Sequence, residues 1–159
     1  MSFFQDTLAI FKKRELLFLE SRKELEDVYT FVFEKDKDVT WKAGQHGLFN
    51  ITHKKIKNPI RPFSMASAPA EDTIKITTSI GADPSDFKKA MLELEKGMKI
   101  KISGPVGSFY LKDSRPTLLI AGGMGITPFR SILKQIEEEG NRSEQQINLL
   151  YMDSKKSYI

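Results

Sequence analysis

Four consecutive residues, Arg61-Pro62-Phe63-Ser64, set a cation, a rigid bend, a ring and a hydroxyl side by side. A guanidinium is a planar fork suited to gripping phosphate, and a phenyl ring offers a flat apolar face on which a fused ring can stack. A serine hydroxyl donates to a ring nitrogen and, once that nitrogen carries a hydrogen, accepts from it instead. Those are the needs of a phosphate-bearing redox cofactor that gains and loses hydride. The competing reading of the same four residues is the start of an ordinary strand. A second stretch, Gly122-Gly123-Met124-Gly125-Ile126-Thr127-Pro128, follows the apolar run Thr117-Leu118-Leu119-Ile120-Ala121. It precedes Phe129, Ile132, Leu133 and Ile136, which recur at helical steps. Strand, glycine turn and helix, in that order, let backbone amides approach a diphosphate while the helix points its positive end at the anion.

The composition removes other chemistries. Zero cysteines exclude disulfides, thiol nucleophiles and thiolate-held iron–sulfur clusters within these residues. The two histidines, His46 and His53, have no carboxylate at ligand spacing, so no metal site is expected. The net charge of +4 is mild, and its concentrations, Lys12-Lys13-Arg14 and His53-Lys54-Lys55-Ile56-Lys57, carry no interleaved aromatics for base stacking. Nucleic acid is therefore not an expected partner; these stretches read as solvated loops or as a docking surface for phosphate or an acidic electron-transfer partner. The chain is 40% apolar and 29% charged, and no apolar run approaches the ~20 residues of a membrane span, so no integral membrane segment is expected. The start, Met1-Ser2-Phe3-Phe4, lacks a basic region before its apolar residues, which points to a cytoplasmic chain.

The elements that must position the two motifs are mostly short strands. Leu16-Leu17-Phe18-Leu19 and Val28-Tyr29-Thr30-Phe31-Val32-Phe33 are rich in aliphatic, β-branched and aromatic residues. Gly44 bends the chain into a third strand through Leu48, Phe49 and Ile51, and Thr73-Ile74-Lys75-Ile76-Thr77-Thr78-Ser79-Ile80 alternates. Strict alternation puts Arg61 and Phe63 on one face and Ser64 on the other, so the backbone must twist there; Pro59 and Pro62 argue against a regular central strand. Phe87, Ala90, Met91 and Leu94 predict a helix that Ser85 or Asp83 caps, with Pro84 at its entrance. Lys99-Ile100-Lys101-Ile102 is a further strand, and Gly104-Pro105-Val106-Gly107-Ser108-Phe109 reads as a tight reversal that closes a barrel. The run at residues 117–121 is predicted to be covered on both faces, Thr127 to cap the next helix with Pro128 first in it, and, past Gly140-Asn141, Ile147-Asn148-Leu149-Leu150-Tyr151 to complete a βαβ unit.

Residues 61–64 resemble the Arg-x-Tyr-Ser motif of the ferredoxin–NADP reductase family, with Phe63 in the tyrosine's place. Ala43-Gly44-Gln45 is similar to the family's Pro-Gly-Gln, residues 104–109 to its Gly-Pro-x-Gly-x-Phe, and residues 122–128 to its Gly-Gly-x-Gly-Ile-Thr-Pro. The resemblance implies that Arg61 holds the flavin phosphate, Pro62 and Phe63 line the isoalloxazine, and Ser64 bonds the flavin N5 as the catalytic residue. It adds Thr78 and Ser85 to the FAD site, Ser85 through a helix start that binds diphosphate, although Asp83 and Asp86 would repel that anion if they pointed inward. It assigns Gly122, Gly123, Met124, Gly125, Ile126, Thr127 and Pro128 to NAD(P). His46 could face the flavin and is equally a polar strand end. FAD is preferred to FMN, with NADH or NADPH as donor.

The implied fold is an antiparallel Greek-key β-barrel with one capping helix, residues 1–113, followed by an incomplete Rossmann-like βαβ unit, residues 114–159. The implied activity is a flavin-dependent oxidoreductase passing hydride from NAD(P)H to FAD and electrons to a separate acceptor, a protein or a fused domain. The alternative is a non-catalytic flavin- or dinucleotide-binding part of a larger redox assembly. A dinucleotide-binding sheet normally has about five or six strands, so a longer reductase is expected from which this chain is a piece. Asp153, near the end of the second βαβ strand, reads either as a ribose-binding acid or as a loop charge paired with Lys155.

Overall fold

The computed structural model describes residues 12–140 and 146–153; Met1-Ser2-Phe3-Phe4, Asn141 and Lys155 lie outside the described residues. Six strands come first: β1 (Lys13–Lys23), β2 (Val28–Glu34), β3 (His46–Asn50), β4 (Ile60–Ser64), β5 (Thr73–Ser79) and β6 (Lys99–Val106). Helix α1 (Asp86–Leu92) lies between β5 and β6. They form one sheet in the order β4-β3-β6-β1-β2-β5, with every neighbouring pair antiparallel. The jump from β3 to β6 to β1 makes it a Greek key. Just past β4, Ala66 N donates to Lys75 O of β5 at 2.7 Å, so the two ends of that order meet and the sheet closes into a barrel.

Alternation decides which side chains fill it. Along β5, Ile74 and Ile76 are fully buried while Thr73, Lys75 and Thr77 are only half-buried, and along β6 Ile100 and Ile102 do the same. With Phe31, Phe33 and Phe49 they make a core whose rings meet edge-on or tilted, Phe18 against Phe33 at 5.6 Å and 61°. Helix α1 closes one end by burying Phe87, Ala90 and Met91 in the same cluster. Gly44 is the expected bend, with φ of +99°, and a Cβ there would collide with the carbonyl of Phe109.

Three local expectations are corrected. Residues 104–106 do not reverse the chain: they continue β6 with an irregular register opposite His46 and Leu48, and the Gly104-Pro105 peptide is cis. Ser85 stands at the start of α1, but its hydroxyl makes no capping hydrogen bond. Thr127 is not a cap either. A 3-10 turn, Gly123–Ile126, runs straight into helix α2 (Thr127–Glu139), and Thr127 Oγ1 donates back to Met124 O at 3.2 Å. Pro128 does sit in the first turn, and Gly140 ends the helix with a left-handed φ of +71°.

Strands β7 (Thr117–Gly122) and β8 (Ile147–Met152) pair in parallel on either side of α2 in sequence, which is the expected βαβ unit. Covering of both faces of β7 is not found among the described residues. Leu119 and Ala121 are buried with Phe129 and Ile132 of α2, whereas Leu118 and Ile120 are 61% and 54% exposed.

Candidate functional site

Strand β4 is an outer member of the ladder order and, among the described residues, pairs only with β3, His46 opposite Ser64 and Leu48 opposite Pro62. That placement is why a proline is tolerated in it. Arg61 has one polar partner among the described residues, the neighbouring Ile60 O at 3.1 Å, so most of its N–H groups remain able to take an anion. The half-buried Phe63 ring stands edge-on to Phe49 at 6.0 Å and lies tilted at 32° to Phe87 at 5.7 Å. One part of the ring is thus anchored in the barrel core, and the rest reaches the surface. Ser64 sits where the chain leaves β3 for β5: Met65 N still donates to Gln45 O at 3.2 Å, and Ala66 N already bonds Lys75 O. The chain crosses the barrel seam within these two residues.

On the other side of the seam the pleat turns Thr78 inward, 8% exposed, and leaves Thr77 and Ser79 outward. Thr77, Ser79 and Ala66 line a cavity of about 450 Å³ whose opposite wall is Gly123, Met124 and Thr127. The fold therefore brings the barrel seam and the glycine turn to one cleft. Arg61, Phe63, Ser64, Thr78 and Ser85 do not line it; Ser64 is two residues from Ala66, and Ser85 stands apart at the exposed start of α1. Asp153 and Tyr151 line the far end, joined by Tyr151 Oη donating to Asp153 Oδ2 at 2.9 Å. A Cβ built on Gly123 or Gly125 would meet nothing within 4 Å, so there is room for a ligand to come against that backbone. A second cavity of about 470 Å³, lined by Trp41, Tyr110 and Ile136 among others, lies off the motif residues.

Residues that local pattern reading passed over hold the cleft's walls together. The Glu71 carboxylate accepts from Ala68 N at 2.7 Å, Arg130 Nη1 at 2.6 Å and Lys75 Nζ at 2.6 Å. Burial pushes this carboxyl up, but the hydrogen bonds from Arg130, Lys75 and the Ala68 N–H outweigh it and bring the group down to about 2. Arg130 Nη1 also donates to Ala66 O at 2.7 Å, and Ser131 Oγ donates to Ser67 O at 2.7 Å with both residues fully buried. Gln45, also fully buried, accepts from Lys42 N and donates to Gly107 O, both at 2.8 Å, tying two glycine-containing loops together. The available signal was position: Arg130 and Ser131 stand two and three residues past the glycine motif, and Gln45 closes Ala43-Gly44-Gln45.

A family model described as "FAD-binding domain" matches residues 11–125, and one described as "Oxidoreductase NAD-binding domain" matches residues 119–157. The chain belongs to the ferredoxin–NADP reductase family. This reductase-family chain is 34% identical over 90 residues to a toluate 1,2-dioxygenase electron transfer component of Pseudomonas putida, covering 56% of the chain and 26% of that protein. It is 33% identical over 117 residues to an NAD(P)H-flavin reductase of Vibrio harveyi, covering 67% of the chain and 47% of that protein. It thus spans less than half the length of these curated relatives. Its fold matches a ferredoxin NADP+ reductase from Neisseria gonorrhoeae solved with FAD and NADP, with a TM-score of 0.71, 23% identity, and coverage of 88% of this chain and 57% of that one. The matched domains make FAD and NAD(P)H the cofactors. The residues fit both groups: an arginine with donors to spare beside a surface-reaching ring, and an open glycine turn facing the barrel seam. Among the described residues no helix is long and apolar enough to cross a membrane, and no cluster could hold a metal ion.

Proposed function

We propose that this chain is the flavin-holding and nicotinamide-receiving part of an NAD(P)H-dependent flavoprotein oxidoreductase that hands electrons to a separate acceptor. When bound, the dihydronicotinamide supplies a hydride from C4 to the flavin N5, two electrons and one proton moving together. The protein's part is to bind, orient and keep that meeting dry. Arg61 takes the flavin phosphate, Pro62 and Phe63 set the ring's resting face, and the Ser64 hydroxyl donates to N5 or accepts from it according to whether that nitrogen carries hydrogen. Thr78 supports the flavin from inside the barrel wall, and Ser85 offers its uncapped hydroxyl to the diphosphate. Gly122, Gly123 and Gly125 admit the nicotinamide dinucleotide to the backbone, with Met124 and Ile126 as apolar lining and Thr127 and Pro128 fixing the helix start. The division at residues 113 and 114 falls in the connector between β6 and β7. The acceptor is a protein or a fused domain, and a cytoplasmic location accords with where NAD(P)H is supplied.

The observation that carries this reading is the single cleft shared by the seam residues Ala66, Thr77 and Ser79 and the turn residues Gly123, Met124 and Thr127. Protein loaded with FAD and mixed anaerobically with NADH or NADPH should lose its visible flavin absorbance in a single turnover. A yellow protein that stays yellow with either nucleotide would instead support the non-catalytic binding module, a reading favoured by the bare outer face of β7.

A further inference from the structure

The segment that leaves β4 and the helix that leaves the glycine turn are joined by an unusually complete set of polar contacts. Residues 65–68 are all 2% exposed or less, so the path from Ser64 into the seam has no slack. The Glu71 carboxylate, its side chain 12% exposed, is held on one side by Lys75 Nζ and Ala68 N within the barrel, and on the other by both terminal nitrogens of Arg130, at 2.6 and 3.2 Å. Arg130 is in turn pinned to Ala66 O, two residues past Ser64, and stands two residues past Pro128 at the end of the glycine motif. Ser131 to Ser67 O and Ala70 N to Gln135 Oε1, at 2.7 and 2.9 Å, add two further ties between the same loop and the same helix.

We propose that Glu71, acting through Arg130, is a positioning residue for hydride transfer: it fixes the glycine turn against the barrel seam and so sets the approach of the nicotinamide to the flavin. The inference rests on the proposed function for its chemistry, but not for its geometry. A carboxylate that bonds a bidentate guanidinium restrains rotation as well as distance, which a single contact does not. Displacing reacting groups by about 1 Å can cost on the order of 100-fold in rate. Arg130 itself lines the cleft, so losing it could remove a direct ligand contact; Glu71 does not line the cleft, and its substitution isolates the positioning effect.

The test compares the parent chain with Glu71→Gln, Arg130→Lys and Arg130→Met. The chain has no cysteine, so Lys89→Cys on α1 and Glu138→Cys on α2 give a single nitroxide pair spanning the two units, read by pulsed EPR without any cofactor. The parent should show one narrow distance distribution, with Glu71→Gln and Arg130→Met broadened and Arg130→Lys between them, while far-UV circular dichroism stays unchanged. In FAD-loaded protein, Glu71→Gln should lower the limiting rate of flavin reduction by roughly 10-fold or more and leave FAD affinity within about 2-fold, because Glu71 is not part of the proposed flavin contacts. Distance distributions of parental mean and width overturn the proposal, as does a broadened distribution with an unchanged limiting rate. If the parent is not reduced by either nucleotide, the proposed function fails, and the distance distributions alone judge the bridge.

Discussion

The barrel and the βαβ unit use the same kinds of residue to different degrees of completion. In the barrel, Phe31, Phe33, Phe49, Ile74, Ile76 and Ile100 are fully buried, and α1 closes one end. In the βαβ unit the buried cluster is Leu119, Ala121, Phe129 and Ile132, set between one face of β7 and α2, while the opposite face of the two strands meets solvent. A closed sheet satisfies its own apolar inner face; a two-stranded sheet with one helix cannot. The βαβ unit must therefore borrow order from the barrel, and it does so through Gly44 against Ile132, Phe109 against Phe129 at 5.3 Å, and the Glu71 bridge.

The sharpest test of that contrast is the largest deletion. Phe33→Ala removes a fully buried ring from the barrel and should cost about 3–5 kcal/mol, unfolding both units in one lowered transition by differential scanning calorimetry. Unfolding of the barrel with the βαβ unit left intact would reverse that dependence. Gly44→Ala acts at the junction itself. Its φ of +99° strains any side chain, and the new methyl meets the Phe109 carbonyl and Ile132, so a loss of about 2–3 kcal/mol is expected. Hydrogen exchange should show that loss concentrated in α2 and β7. The flavin side is read by Arg61→Ala: removing a charged hydrogen-bonding group of about 1.5–3 kcal/mol should weaken FAD binding roughly 10- to 100-fold in a fluorescence titration, with melting of the cofactor-free chain unchanged.

Glu71 gives the contrast a pH signature. Its carboxyl, ordinarily near 4.5, is held at about 2 in the folded chain, so the bridge's contribution is fully present above about 4.5 and is lost as pH falls from there toward 2. Arg130 is 43% exposed, and discounting for solvent screening leaves on the order of 1–2 kcal/mol. Glu71 is the carboxylate of this bridge, and taking up a proton removes the negative charge that Arg130 and Lys75 hold. Urea unfolding of the parent should lose stability in that interval, and Glu71→Gln should remove this component. The same slope in both proteins would place the titration elsewhere.

How much of this could be read from the chain differs between the two regions for physical reasons. Strand alternation is local, so β5, with Ile74 and Ile76 inward, was legible, as was the helical spacing of Phe87, Ala90 and Met91. Both motifs are contiguous in the chain, so the family they belong to was legible too. The role of residues 104–106 was not, because Gly104, Pro105 and the following Gly107 favour a turn locally, whereas the strand that residues 104–106 continue is fixed by pairing with His46, far back in the chain. Likewise Glu71 and Arg130 lie 59 residues apart, and a charge pair of that separation leaves no periodic trace. Burial of β7 on both sides was inferred from its unbroken apolar run; that run reports what the strand can be covered by, and α2 covers one face only.

The smallest expected effect concerns that second face. Ile120 is 54% exposed, so much of its area touches water before and after folding, and the hydrophobic gain from burying it is correspondingly small. Replacing it with serine on an exposed strand position should change stability by no more than about 0.5 kcal/mol, since β-propensity and burial are both weakly engaged there. Buried Leu119, one residue earlier and 6% exposed, should lose about 2–5 kcal/mol when cut to alanine, although the two side chains are isomers. If Ile120→Ser were as costly as Leu119→Ala in urea unfolding, the face would be covered in solution, and the asymmetry between the self-contained barrel and the half-covered βαβ unit would not describe the protein as it stands in water.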